Sequence, residues 1–199
     1  MLLSLSHKFL FIANVKTASS SIERALRSKA EIAISETRFG KHENLSVISR
    51  KFAWVRAYVP YSDFFVFGVI RDPVDWVLSL YNSHSKVEFD GLPYSTKGVS
   101  FEDFLEDGVE KRWQMRPQHL RFVDEHARFR VNHLLDFDRL EEDFPRVTER
   151  LGLGAIPLPK INASPEIVKR QDLRRRQIRF IRERYAADYE LLEARPVAF

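Results

Sequence analysis

Cysteine is missing from all 199 positions. Disulfides and thiolate-ligated metals are therefore excluded, and a cytoplasmic location is the expectation, since a reducing compartment suits such a chain. Glycine is sparse as well: seven residues in all, and none between Phe9 and Leu26. That absence excludes the glycine-framed loop G-x-x-x-x-G-K-[ST] from the point where an apolar run first meets a polar turn. No run approaches the ~18–20 consecutive apolar residues of a membrane helix. The opening MLLSLSHKFLFIANVK lacks a basic stretch before its apolar residues and is broken by His7 and Lys8, so it reads as a buried first strand rather than a signal peptide. His7, His42, His84, His119, His126 and His133 are scattered without ligand spacing, so no metal is expected.

What is present describes a folded domain. Hydrophobic residues make up 44% and charged residues 30% of the chain, and sixteen Phe supply large core side chains. The balance excludes a disordered chain, and the length suits one domain over residues 1–199. A formal charge of +4 with a pI near 9.4 fits an anionic ligand.

Strand-like and helix-like segments alternate. FLFIANV (9–15), EIAIS (31–35), FFVFGVI (64–70) and VNHLLDF (131–137) read as strands. Helices are expected at 19–30 with a Ser20/Glu23 capping box, at 43–59 up to Pro60, after Asp72-Pro73, at 101–107, at 113–126, at 139–153, and as one long amphipathic helix near the C-terminus. This alternation predicts an α/β fold with a parallel sheet covered on both faces.

The junction NVKTASSSIE is the first candidate site. A strand that stops at a polar loop and restarts as a helix aims backbone N–H groups and the positive helix end at one point. Lys16 adds a charge there. Thr17, Ser19, Ser20 and Ser21 add hydroxyls, and small side chains such as Ala18 let the backbone approach an anion. The second candidate is VIRDPVDWVLSLY. Arg71 ends the strongest strand and can fork two N–H groups onto a phosphate, with Ser79 two turns into the following helix.

Together these stretches resemble the two nucleotide signatures of the sulfotransferases that use 3′-phosphoadenosine 5′-phosphosulfate (PAPS). The first matches at Phe11, Ile12, Lys16, Thr17, Ala18, Ser20 and Ser21. It departs at Val15, where the family usually has Pro, and at Ser19, where Gly is usual. The second matches at Arg71, Asp72, Pro73, Ser79 and Tyr81. The resemblance implies a three-layer, P-loop NTPase-like sandwich with a central parallel sheet. It also implies PAPS as co-substrate without metal, and a hydroxyl or amine acceptor, such as a small molecule or carbohydrate, rather than nucleic acid. Lys16 would stabilise the leaving phosphate, with residues 16–21 on the 5′ side and Arg71 and Ser79 on the 3′-phosphate.

GKHENLSVI resembles a K-H-x-x-x-x-x-I segment of many bacterial relatives, which makes His42 the candidate base, with Glu43, Glu36 and His84 behind it. Asn162 and Ser164 are candidates for the adenosine end; Tyr94, Trp113 and Gln118 read first as core or loop packing and second as acceptor contacts. The basic run 169–184 reads as a solvated helix face, with a residue for the 3′-phosphate as its other reading. An ATP-dependent kinase and a non-catalytic nucleotide-binding protein are the rival readings. Nothing in the sequence speaks to oligomeric state.

Overall fold

The computed structural model describes residues 1–159, 161 and 165–194, apart from the side chains of residues 109–111. Among the described residues five strands form one sheet: β1 (Leu2–Ser4), β2 (Phe9–Ile12), β3 (Ile32–Ala33), β4 (Phe65–Ile70) and β5 (His133–Asp136). Their order is β3-β1-β2-β4-β5. The expected parallel sheet is found in part, because the whole sheet is mixed. β2, β4 and β5 are parallel, whereas β1 is antiparallel to both β2 and β3. His7 and Lys8 are the cause. They turn the chain between two apolar segments, with Lys8 left-handed at φ 50°, so the opening residues make a hairpin instead of one strand.

Seven helices are found among the described residues. They are α1 (Ser19–Leu26), α2 (Leu45–Lys51), α3 (Pro73–His84), α4 (Phe101–Lys111), α5 (Leu140–Arg150), α6 (Arg175–Arg184) and α7 (Ala186–Glu193). Side chains alternate across the sheet. Phe9, Phe11, Phe67, Val69 and Leu135 pack on Ile22 and Leu26 of α1 and Phe144 and Val147 of α5. Leu10, Ile12, Val66, Ile70 and Leu134 pack on Leu45 and Ile48 of α2 and on Phe122. Helices thus cover both faces. A third cluster joins α3, α4 and α6 around Trp76 and Tyr185.

Three expected helices are interrupted along their patterns. Residues 113–126 hold two 3-10 turns, Trp113–Met115 and Gln118–Arg121, because Pro117 between them lacks an N–H and pushes Arg116 into an extended conformation. α2 stops at Lys51, and a 3-10 turn, Ala53–Ala57, replaces its expected continuation. The C-terminal helix breaks at Tyr185, which is fully buried, donates its hydroxyl to Met115 O at 2.8 Å and meets Trp76 edge-on. Gly68 in β4 admits the Phe122 ring, since a Cβ there would stand 2.4 Å from a ring carbon.

Candidate active site

The three parallel strands end on the same side of the sheet, and each hands a residue to one cleft of about 750 Å³. β2 delivers the loop 15–20, β4 delivers Arg71, and β5 delivers Phe137. Strand carboxyl ends of a parallel sheet commonly line the site for this reason.

The loop after β2 is held from below. Asn14, almost fully buried, accepts from Val15 N at 2.8 Å and donates to Gln118 Oε1 at 2.9 Å. The Trp76 indole donates to Val15 O at 2.8 Å. Thr17 is buried and its hydroxyl donates to Asn14 O at 3.2 Å, so this group secures the loop as well as lining the cleft. Two residues take left-handed backbone, Lys16 at φ 58° and Ala18 at φ 55°. They flank Thr17 and turn the chain sharply between β2 and α1, and left-handed residues in such turns commonly build anion-binding concavities. Ser19, where glycine was the expected residue type, already belongs to α1 and needs no glycine.

Ser20 lines the cleft and accepts from Lys41 Nζ at 3.1 Å. Ser21 departs from expectation: it is buried behind the loop, outside the cleft lining. The expected Ser20/Glu23 capping box is also absent. Ala18 occupies the N-cap, and Glu23 pairs instead with Lys41 and Arg27, each at 3.2 Å.

Arg71 crosses back to the first loop, its Nη1 donating to Lys16 O at 3.4 Å. Its guanidinium lies 4.1 Å from the centre of the Phe137 ring. Its Nε is buried and has no hydrogen-bond partner among the described residues. Asp72 does not pair with it. That carboxylate caps α3 at Val74 N and Asp75 N and binds Arg170, which also reaches Asp75. Ser79, buried on α3, lines the cleft opposite. Burial lowers the Lys16 ammonium to about 8, with Lys86 and Arg71 adding like-charge repulsion. Burial lowers Arg71 too.

His42 reaches the same cleft from outside the three parallel strands. β3 is an antiparallel edge strand of two residues, and His42 follows it by way of a left-handed Gly40. Its Nδ1 lies 2.8 Å from Ala13 O, at the mouth of the loop. A carbonyl can only accept, so Nδ1 carries the hydrogen and Nε2 the lone pair. Burial holds the ring down to about 4.

A model of the sulfotransferase family matches residues 1–193. The chain belongs to that family. No curated protein and no solved structure matches it.

As a sulfotransferase, the chain transfers sulfuryl groups, and its other sequence candidates divide clearly. Glu36 pairs with Arg38 on the surface, and Glu43 with Lys51. His84 lies among Phe89 and Tyr94, outside the cleft lining. Gln118 is fully buried and clasps Arg71 from behind, so it does not meet an acceptor. Trp113 is 42% exposed and lines a neighbouring cavity. Asn162 and Ser164 lie outside the described residues.

Sequence reasoning missed Phe137 and Asn82. The buried Asn82 amide donates to Val168 O at 2.9 Å and accepts from Val168 N at 3.0 Å, fixing the wall that carries Lys169 and Arg170. Those two precede α6 and line the cleft, which departs from the solvated-helix reading of 169–184 and agrees with its other reading. The Ser79/Asn82 spacing on α3 was the available signal for Asn82. Among the described residues no helix is long and apolar enough to cross a membrane.

Proposed function

We propose that this sulfotransferase takes its sulfuryl group from PAPS and delivers it to a hydroxyl acceptor, on a P-loop-like α/β sandwich. The observation that supports this most is electrostatic. Lys16 and Arg71, from two separate strand ends, line one cleft, and Arg71 Nε is buried with no partner among the described residues. A buried donor left without an acceptor costs roughly 1–3 kcal/mol, which a phosphate oxygen would recover. A nucleotide with anionic groups at both ends matches two cationic points better than a simple phosphate does.

In this reading the 16–20 loop holds the 5′ end, while Arg71 and Ser79 hold the 3′-phosphate, with Lys169 and Arg170 beside them. The donor supplies an activated sulfuryl group on a good leaving phosphate. Lys16 stabilises the charge that grows on that phosphate as the S–O bond lengthens. His42, neutral and with its lone pair on Nε2, takes the acceptor proton. An anion in the cleft raises the affinity of both groups for protons, so His42 becomes a stronger base once the donor is bound.

The test is ligand-dependent melting with 3′-phosphoadenosine 5′-phosphate. At ~100-fold over its dissociation constant, about 2.7 kcal/mol of stabilisation is expected. ATP with Mg²⁺ is expected to give far less. No shift with the bisphosphate, or an equal shift with ATP, overturns the donor assignment.

A further inference from the structure

A second cavity, of about 560 Å³, adjoins the candidate active site, and His42 lines both. One wall comes from the two 3-10 turns and carries Trp113, Arg116, Leu120 and Arg121. The other comes from the loop around His42 and Glu43. Trp113 and Leu120 are 42% and 41% exposed, so a polar cavity has an apolar shelf that no neighbouring side chain covers fully. The Arg121 guanidinium stands 5.2 Å from the Trp113 ring centre and donates to the backbone carbonyl of His42.

The charge in this cavity does not cancel. Asp124 is taken up by Arg128 and Arg130, each at 3.1 Å, and by the backbone N–H of His126 and Arg128. Glu43 is paired with Lys51 at 3.0 Å, and Glu125 stands 4.0 Å from His126. Arg116 is exposed and has no ion pair among the described residues. Arg121, only 9% exposed, has no carboxylate within ion-pair distance among the described residues. Burial lowers it to about 10, with Glu43 opposing and Arg116 adding to the shift. Two guanidinium groups of like charge thus share the cavity, where a carboxylate or another planar anion can bridge them.

We propose that this cavity is the acceptor site and that it admits a hydroxylated ring compound bearing an anionic group. The ring face lies on Trp113 and Leu120, and the anion meets Arg116 and Arg121. This rests on the donor reading above, because the hydroxyl must reach sulfur across His42. The step balances without another reactant. The hydroxyl proton goes to His42 Nε2, and the acceptor oxygen bonds to sulfur. The bond from sulfur to the 5′-phosphate oxygen breaks, and its electron pair leaves on that phosphate beside Lys16. Sulfur keeps its oxidation state.

Two probes differing in one group test this: p-nitrophenyl β-glucuronide and p-nitrophenyl β-glucoside, each with PAPS as donor. The wild type is expected to favour the glucuronide roughly tenfold or more in kcat/KM, the low end for a hydrogen-bonded charge at a partly exposed site. Arg116→Gln, at an exposed position, is expected to abolish the preference through KM while keeping the melting shift with 3′-phosphoadenosine 5′-phosphate. Trp113→Ala is expected to raise KM for both probes alike. Equal use of the two glycosides by the wild type overturns the proposal, as does a preference that survives Arg116→Gln. It is overturned too if neither glycoside is sulfated by protein that binds the nucleotide. Absence of any nucleotide shift in the wild type overturns the donor reading itself, and this proposal falls with it.

Discussion

The side-chain amide of Gln118 clasps the backbone of Arg71 from both sides. Its Oε1 accepts from Arg71 N at 3.1 Å and its Nε2 donates to Arg71 O at 2.8 Å. The same Oε1 takes Asn14 Nδ2, and the Gln118 N–H is held by the buried Asp188 carboxylate at 2.8 Å. One amide therefore fixes the loop after β2 to the end of β4 without lining the cleft. Gln118→Ala should loosen nucleotide binding tenfold or more and cost about 2–3 kcal/mol of stability, since it orphans buried donors and acceptors. Calorimetric titration with 3′-phosphoadenosine 5′-phosphate and urea unfolding measure both. Unchanged nucleotide affinity in a folded variant would show that Arg71 is positioned by other means.

Lys16 is a costly residue for the fold. Its ammonium is lowered to about 8 from an ordinary value of 10.5, with burial the largest cause. A base whose proton affinity falls on folding penalises the native state while it is charged. The penalty is complete below about pH 8 and fades as pH rises towards 10.5. Lys16→Met keeps the stem and the backbone conformation but removes the charge. It should abolish sulfuryl transfer while raising the melting temperature at neutral pH, by an amount that shrinks at pH 10. Wild-type turnover in this variant would remove Lys16 from the chemistry.

Much of the site was legible because the physics is local. Lys16 and Arg71 each follow a strand whose apolar run is plain, and adjacent parallel strands bring both to one edge. The helix after Asp72-Pro73 carried its own start signal. What escaped carried no such signal. The β1–β2 hairpin reads as one strand, because its turn contains no glycine or proline and Lys8 takes the left-handed backbone instead. Core packing is the first reading of Gln118, but its clasp on Arg71 and Asn14 does not show in the sequence, because those partners lie 47 and 104 residues away. Ser21 matches the motif as well as Ser20 does, but the helix rotates it to the buried side.

The glycine-free loop makes a prediction at each of two adjacent positions. Ala18 holds a left-handed backbone at φ 55° at the N-cap of α1, whereas Ser19 begins the helix itself. Ala18 already bears the ~1–2 kcal/mol that left-handed backbone costs a residue with a Cβ, so Ala18→Val should destabilise only by the further crowding of a β-branched side chain, about 1 kcal/mol. Ser19→Gly, which restores the expected residue type, should cost up to about 1 kcal/mol rather than stabilise, because Gly gains nothing in helical backbone. Denaturant midpoints of the two variants decide the matter. A stabilising Ser19→Gly would mean that the strained position lies at 19.

His42 and Lys16 together fix how activity should follow pH. In the proposed mechanism catalysis requires His42 neutral and Lys16 charged. For the free enzyme, kcat/KM should therefore fall as pH drops through about 4, where His42 gains its proton. It should fall again as pH rises through about 8, where Lys16 loses its own. With donor bound, the anion favours protonation of both groups, so the two limbs of the kcat profile should shift to higher pH. Lys16→Arg should move the alkaline limb out of the accessible range, since a guanidinium stays charged there. His42→Gln should remove the acid limb and lower kcat by roughly 10²–10⁴-fold, the usual contribution of a general base. A profile that keeps its acid limb in His42→Gln would assign the acceptor proton to another group. Glu43 would be the first candidate, since it lines the neighbouring cavity beside His42.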